Sequence, residues 1–343
     1  MPPSKRSMPF YLKSGLSLAV LALVAGYAWI AYRPEAQPGR TLVPVTIAAN
    51  VAYAGSCPVF AALEKGYFKN EGLSPSIQPH SSGKAALAAV LRGEANLATV
   101  GDLPVMFAAV NGQPVTVLAN IFSSEEDFGV VGKKDSGIAT PAGLRGKRIG
   151  VTFGTGGHFY ITSFLLREKL SVSDVSLVDL KLEDMADALS RGSVDAVSVW
   201  EPFLGSLRAG LGSNALTFSG KGIYGGLFTL AGERDYVAAN PETMKKVLRA
   251  LIMGATFCQD SPEAAIEITA RSMKADPAML KRHWPLYRFE ITLDQALILA
   301  LEDESRWAIK NKLTERTGEV NFLDHVYIDG LKAIAPASVT VIY

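Results

Sequence analysis

The chain has few cysteines, few histidines and almost no net charge. Cys57 and Cys258 are its only two cysteines, too few for a disulfide framework and too far apart in sequence for metal-ligand spacing. Pairing is open to two cysteines in an oxidising compartment, but the expectation is two buried free thiols. No two of His80, His158, His283 and His325 stand at metal-binding spacing. Lysine and arginine number 34 against 33 aspartates and glutamates, interspersed to a net charge of +1, which excludes a polyanion-binding face and with it a nucleic-acid partner. No GxxxxGK[ST] loop, GxSxG elbow or HExxH pair occurs. The expectation is a protein without catalytic residues, metal or cofactor.

What is present begins with an apolar run. Lys5, Arg6 and Lys13 precede SGLSLAVLALVAGYAWIAY, 19 uncharged residues from Ser14 to Tyr32. That length spans a bilayer core as a helix, and the preceding cations keep the N-terminus inside and send the rest of the chain outside. Gly26-Tyr27-Ala28 offers small residues for signal cleavage, whereas Tyr27, Trp29 and Tyr32 suit an interfacial belt; the expectation is an uncleaved anchor, with membrane contact through residues 14–32. RPEAQPGR follows as a linker. The bulk of the chain is thus expected on the periplasmic or cell-surface side of the inner membrane.

Beyond the linker the sequence repeats itself. RGEANLATVGDLP starts at residue 92 and RGSVDAVSVWEPF at 191, an offset of 99 that also places Gly55-Ser56 on Gly154-Thr155 and Phe60 on Phe159. Each copy reads strand, turn, helix, strand, turn, helix, strand, the pattern of a parallel sheet with covering helices. Gly93 and Gly192 end helices, and Ser81 or Ser82 caps the helix near Lys84. The expected organisation is a signal or anchor with linker (1–40), a first lobe (41–132), a second lobe (133–227) and a return strand with C-terminal helices that complete the first lobe (228–343). FGVVGKKDSGI and GGLFTLAGERDYVAANPE are expected to be extended and to run between the lobes as hinges.

In parallel sheets ligands sit outside the carboxyl ends of the strands, which selects the turns AYAGSC, HSSGK, GDLP, GTGGH, LED and WEPF. GTGGHFY lies between a strand and a helix, where unpaired amides and the helix dipole favour an anion and Gly156 and Gly157 allow close approach. Lys84 adds a countercharge or faces solvent, and His158 reaches a ligand or packs. Asp102 and Glu201 hold equivalent places in the two copies, as an acid-base pair or as residues that fix their turns. Trp200 is a cleft wall or a core residue, and Glu201 at the cleft would favour a ligand that also carries an amine.

The ordered run ALEKGYFKNEGL, SSGKAALAAVLRGEANLATVGDLPV, LRGKRIGVTFGTGGHFYITSFLL and MADALSRGSVDAVSVWEPF resembles the solute-binding proteins of nitrate, sulfonate and taurine importers, from about Val45 to Phe203. A weaker likeness continues through NPETMKKVLRA. The resemblance implies an α/β, type II periplasmic-binding-protein fold, two pseudo-repeated lobes with a ligand cleft between them. It further implies a monomer that captures a small anionic solute by closing on it and delivers it to an ABC permease and its ATPase. Carried over by position, the ligand residues are Gly55, Ser56, Ser82, Gly83, Lys84, Gly101, Asp102, Thr155, Gly156, Gly157, His158, Trp200 and Glu201. Relatives with the same fold suggest other readings: a binder of a neutral thiamine-pyrimidine precursor, a ligand sensor without transport, or a pyrimidine synthase, whose cysteine cluster is missing here. The chain departs from the family in its uncleaved anchor and in Cys57, where small polar residues are the rule.

Overall fold

The alternation of strands and helices builds two five-stranded sheets in the structure, a computed structural model that describes residues 41–342. The expected anchor at 14–32 lies outside the described residues. Among those described, no helix is long and apolar enough to cross a membrane.

In chain order the first elements are β1 (Val43–Asn50), α1 (Cys57–Glu64), α2 (Tyr67–Asn70), β2 (Leu73–His80), α3 (Gly83–Leu91), β3 (Leu97–Gly101), α4 (Asp102–Val110) and β4 (Val115–Ser124). Then come β5 (Phe128–Lys133), β6 (Arg148–Val151), α5 (Gly156–Arg167), β7 (Ser176–Asp179), α6 (Met185–Ser190), β8 (Ala196–Trp200), α7 (Phe203–Leu211) and β9 (Ala215–Ser219). The chain closes with β10 (Gly226–Glu233), α8 (Arg234–Ala239), α9 (Pro241–Asp260), α10 (Pro262–Met273), α11 (Pro277–His283), α12 (Gln295–Lys310) and α13 (Ile328–Ile334).

The sheets share one plan. Strand order is β2-β1-β3-β10-β4 in the first and β7-β6-β8-β5-β9 in the second. Three parallel strands are followed by an antiparallel one, β10 or β5. β3 and β8, the equivalent strands of the repeat, are buried on both faces because helices cover both sides. Gly93 and Gly192 each follow a helix at φ of 77° and 72°, the left-handed conformation that ends a helix at least cost in glycine. Ser82 is the cap of α3, its hydroxyl accepting from Ala85 N at 3.2 Å.

The structure differs from the sequence reading at three points. FAALEKGYF, which the pattern makes the first helix of the first copy, is two helices rather than one, broken where Gly66 takes φ of 73°. The two segments expected as hinges are the antiparallel strands β5 and β10 followed by short helical turns, and the chain passes between sheets at residues 125–127 and 220–225 instead.

The third correction concerns the cysteines, which are not free: Cys57 at the start of α1 is disulfide-bonded to Cys258 near the end of α9, across a sequence separation of 201. The bond is reached because α9 lies close on α1. A Cβ at Gly254, one turn before Cys258, would stand 2.2 Å from the Pro58 carbonyl oxygen. Arg249 on α9 also pairs with Glu71 at 2.7 Å. Backbone bridges Asn120–Thr292, Ser123–Arg288 and Val117–Val326 dock the C-terminal region on β4.

Candidate functional site

A cavity of about 60 Å³ lies where the two sheets meet, lined from both. The first sheet's layer supplies Asn50 at the end of β1, Ser82, Gly83 and Lys84 at the start of α3, and Gly101, Asp102 and Pro104 at the β3–α4 turn. The second supplies Phe128 opening β5, Thr155 and Gly156 at the start of α5, and Trp200 ending β8. Tyr53, Tyr224, Gly226, Leu227 and Phe228 complete the wall. Most stand just past the carboxyl ends of parallel strands, and Phe128, Gly226, Leu227 and Phe228 stand at the starts of the antiparallel strands β5 and β10.

Of the residues expected from sequence, Ser82, Gly83, Lys84, Gly101, Asp102, Thr155, Gly156 and Trp200 are brought together here. The others stand elsewhere, each for a local reason. Gly55 lies beneath the wall, where a Cβ would meet the Tyr53 ring at 2.7 Å and the Phe228 ring at 2.8 Å. Ser56 is wholly buried, its hydroxyl donating to the Asn50 carbonyl at 2.8 Å and lying 2.9 Å from Thr99 Oγ1. Gly157 faces the Ser198 carbonyl oxygen, 3.0 Å from a Cβ position.

Glu201 turns away from the cavity to fix its own turn. Its Oε2 accepts from Gly205 N at 2.9 Å, and Oε1 lies 3.3 Å from His283 Nε2 and 3.7 Å from Arg208 Nη2. Gly156 does line the cavity, but its missing Cβ makes room for protein: that atom would lie 2.7 Å from the Phe128 ring and 3.0 Å from Tyr224.

His158 opens on a neighbouring groove of about 570 Å³, which shares Lys84 and Pro104 with the cavity. Its ring stacks on Phe153 at 4.5 Å and meets Trp307 edge-on at 5.1 Å. Burial lowers its pKa to about 4, so the imidazole is neutral near pH 7. Lys84 bridges the two halves, its ammonium donating to the Phe153 carbonyl at 3.1 Å.

Two helices present N-termini to the cavity. The first amides of α3 and α5 have no intrahelical partners, and the positive ends of both dipoles lie at the cavity, where they favour negative charge. Against them stands a buried acid. Asp102 Oδ1 accepts from Leu103 N at 2.8 Å and from the Tyr224 hydroxyl, and Oδ2 accepts from Leu227 N at 3.1 Å. Burial raises its carboxyl to about 6 despite these donors. Glu304 on α12, also buried, is pushed well above the usual carboxylate range by burial and by the Asp102 charge. Behind Tyr53 lies Asp127, whose carboxyl rises to about 7 chiefly through burial; Tyr53 donates to it at 2.7 Å.

Sequence reasoning missed Asn50, Tyr53 and the wall formed by Phe128, Tyr224, Leu227 and Phe228. The strand-end rule that selected Gly101 also selects Asn50. Tyr53 lies in the turn after β1, Tyr224 in a crossing, and Phe128, Leu227 and Phe228 at the starts of the antiparallel strands β5 and β10, to which the strand-end rule does not apply.

Residues 54–265 match the model of a family described as NMT1/THI5 like. The chain belongs to the NMT1/THI5-like family. Its match covers every residue lining the cavity except Asn50 and Tyr53. Similar chains include the taurine-binding periplasmic protein of Escherichia coli (strain K12), 27% identical over 233 residues, 67% of this chain and 69% of the relative. An enzyme is also similar: the 4-amino-5-hydroxymethyl-2-methylpyrimidine phosphate synthase of Aspergillus parasiticus, 26% identical over 226 residues, 61% of this chain and 65% of the relative. The alkanesulfonate-binding protein SsuA from Xanthomonas axonopodis pv. citri, solved bound to MOPS, superimposes with a TM-score of 0.71 at 20% identity, covering 83% of this chain and 98% of its own. The NMT1/THI5-like chain thus has the periplasmic-binding-protein fold that its resemblance implied.

Proposed function

We propose that the chain is the extracytoplasmic solute-binding component of an importer, which holds a small anion between two closing lobes and passes it to an ABC permease and its ATPase. The names of the taurine- and alkanesulfonate-binding relatives support this reading. The observation that carries it is the single cavity faced by the N-termini of α3 and α5, one from each sheet's layer. An anion seated there contacts both halves, so only the closed form makes all its bonds and the solute stabilises closure. The lobes, residues 41–124 with 226–343 and residues 128–219, move about the crossings at 125–127 and 220–225. The chain works outside the membrane as a monomer, by capture without chemistry: Asp102 is engaged by Leu103, Leu227 and Tyr224 rather than poised as a base.

A second reading has its own support. The cavity is largely aromatic, and its one cationic side chain, Lys84, is engaged by a carbonyl; this favours a neutral heterocycle of the pyrimidine kind. Thermal shift with sulfonates, taurine, nitrate, carboxylates and neutral pyrimidines separates the two. A solute at 100 times its Kd stabilises the fold by about 2.7 kcal/mol. Shifts with anions are expected; shifts with pyrimidines alone overturn the anion reading.

A further inference from the structure

The helix N-termini form only one side of the cavity. The rest is aromatic: Tyr53 and Phe228 meet edge-to-face at 4.8 Å, Phe128 and Tyr224 lie 4.8 Å apart, and Phe128 and Trp200 lie 6.1 Å apart. Both phenols donate their hydroxyl protons to buried carboxylates, Tyr53 to Asp127 and Tyr224 to Asp102. What these five rings offer a solute is therefore π-surface, with the Asp102 carboxylate directly behind it.

Asp102, the one acid among the residues lining the cavity, has little acceptor capacity left. Asp102 already accepts from two backbone amides and a phenol. A primary ammonium brings three N–H donors that need acceptors, and among aromatic rings they would go unmet, which disfavours its binding. An alkylated ammonium has fewer donors or none, and its positive methyl groups pack on ring faces. Its anionic end would then face the opening amides of α3 and α5, so that each end meets a field of opposite sign.

We propose that the solute is a compact zwitterion, with an alkylated ammonium in the aromatic box beside Asp102 and an anionic group on the N-termini of α3 and α5. The anionic end rests on the function proposed above; the aromatic box stands independently of it.

Isosteric pairs test the charge alone. Glycine betaine and 3,3-dimethylbutanoate differ only in nitrogen for carbon, as do N,N,N-trimethyltaurine and 3,3-dimethylbutane-1-sulfonate. Titration calorimetry on the full-length wild-type protein is expected to show at least one zwitterion binding 10-fold or more tightly than its isostere. Trp200→Leu should shrink that ratio while changing the isostere's affinity little; the wild-type comparison stands even if this variant folds poorly. Equal binding within both pairs, or tightest binding by unmethylated taurine, overturns the box and leaves the anion seat in place. Choline binding as tightly as betaine keeps the box and removes the anion seat. If neither pair nor choline binds, both fall.

Discussion

Lys84 Nζ donates to the carbonyl oxygen of Phe153 at 3.1 Å, tying the start of α3 to the turn that leads into α5. The bond joins the two layers at the mouth of the cavity. Because Lys84 is exposed, its contribution is that of a solvated hydrogen bond, about 0.5–1.5 kcal/mol. Lys84→Met should move the protein toward open forms by that amount, roughly a 2- to 13-fold change in the open-to-closed ratio. Small-angle scattering without solute is expected to give a larger radius for the variant, and saturating solute should restore the wild-type radius. Identical radii at all solute concentrations would mean that the contact does not bias closure.

Gly254 is expected to be the least replaceable residue of α9. In an exposed helix, Gly→Ala gains about 1 kcal/mol. Here the added methyl would stand 2.2 Å from a backbone oxygen of α1, so the helices must separate. Gly254→Ala should lower the Tm and leave free thiol in the folded protein, counted with a thiol reagent under native conditions.

The Cys57–Cys258 bond closes a loop across 201 positions. On a chain-entropy view a loop of that length is worth at most about 5 kcal/mol, and measured values for native bonds run about 2–5 kcal/mol. The double variant Cys57→Ser/Cys258→Ser should lose stability in that range by chemical denaturation. Wild type treated with a reductant should fall to the same value, whereas the variant should not respond.

Asp127 makes stability depend on pH in a calculable direction. Its carboxyl rises from an ordinary 3.8 to about 7 in the fold, chiefly through burial and also through the Glu201 charge. Between these values the native state holds a proton that the unfolded state has released, so stability falls as pH climbs through that window. Asp127→Asn removes this dependence and can still accept from Tyr53. Its stability relative to wild type should therefore rise from pH 5 to pH 8, by roughly 2–3 kcal/mol. A constant difference across that range would show that Asp127 titrates normally.

Legibility in the sequence followed how local each interaction is. β3 and β8 stand 99 residues apart, the offset at which the sequence repeats, and Gly93, Gly192 and Ser82 hold the helix-end places that their residue types favour. The amides at α3 and α5 were equally readable, because a strand-to-helix turn is a short-range pattern. Long-range pairings were not: nothing near Cys57 announces a partner on α9, and nothing near Tyr224 announces Asp102, 122 positions away. Of the readings open to Glu201, the turn-fixing one describes its side chain, which accepts from Gly205 N in the first turn of α7; sequence position alone does not fix that rotamer, so its place at a ligand was equally readable.

The placement of β10 also sets an order of assembly. All five strands of the second sheet come from one unbroken stretch, residues 128–219, whereas the first sheet needs β1 to β4 and then β10, which lies beyond that whole stretch. A chain emerging from its N-terminus therefore makes four strands of the first sheet before the inner one that belongs between β3 and β4 exists. Until residue 233 is available, β3 and β4 each present an unpaired edge. The half that begins first is completed last, so the interval in which residues 128–233 are made is when a holding factor would have most to protect.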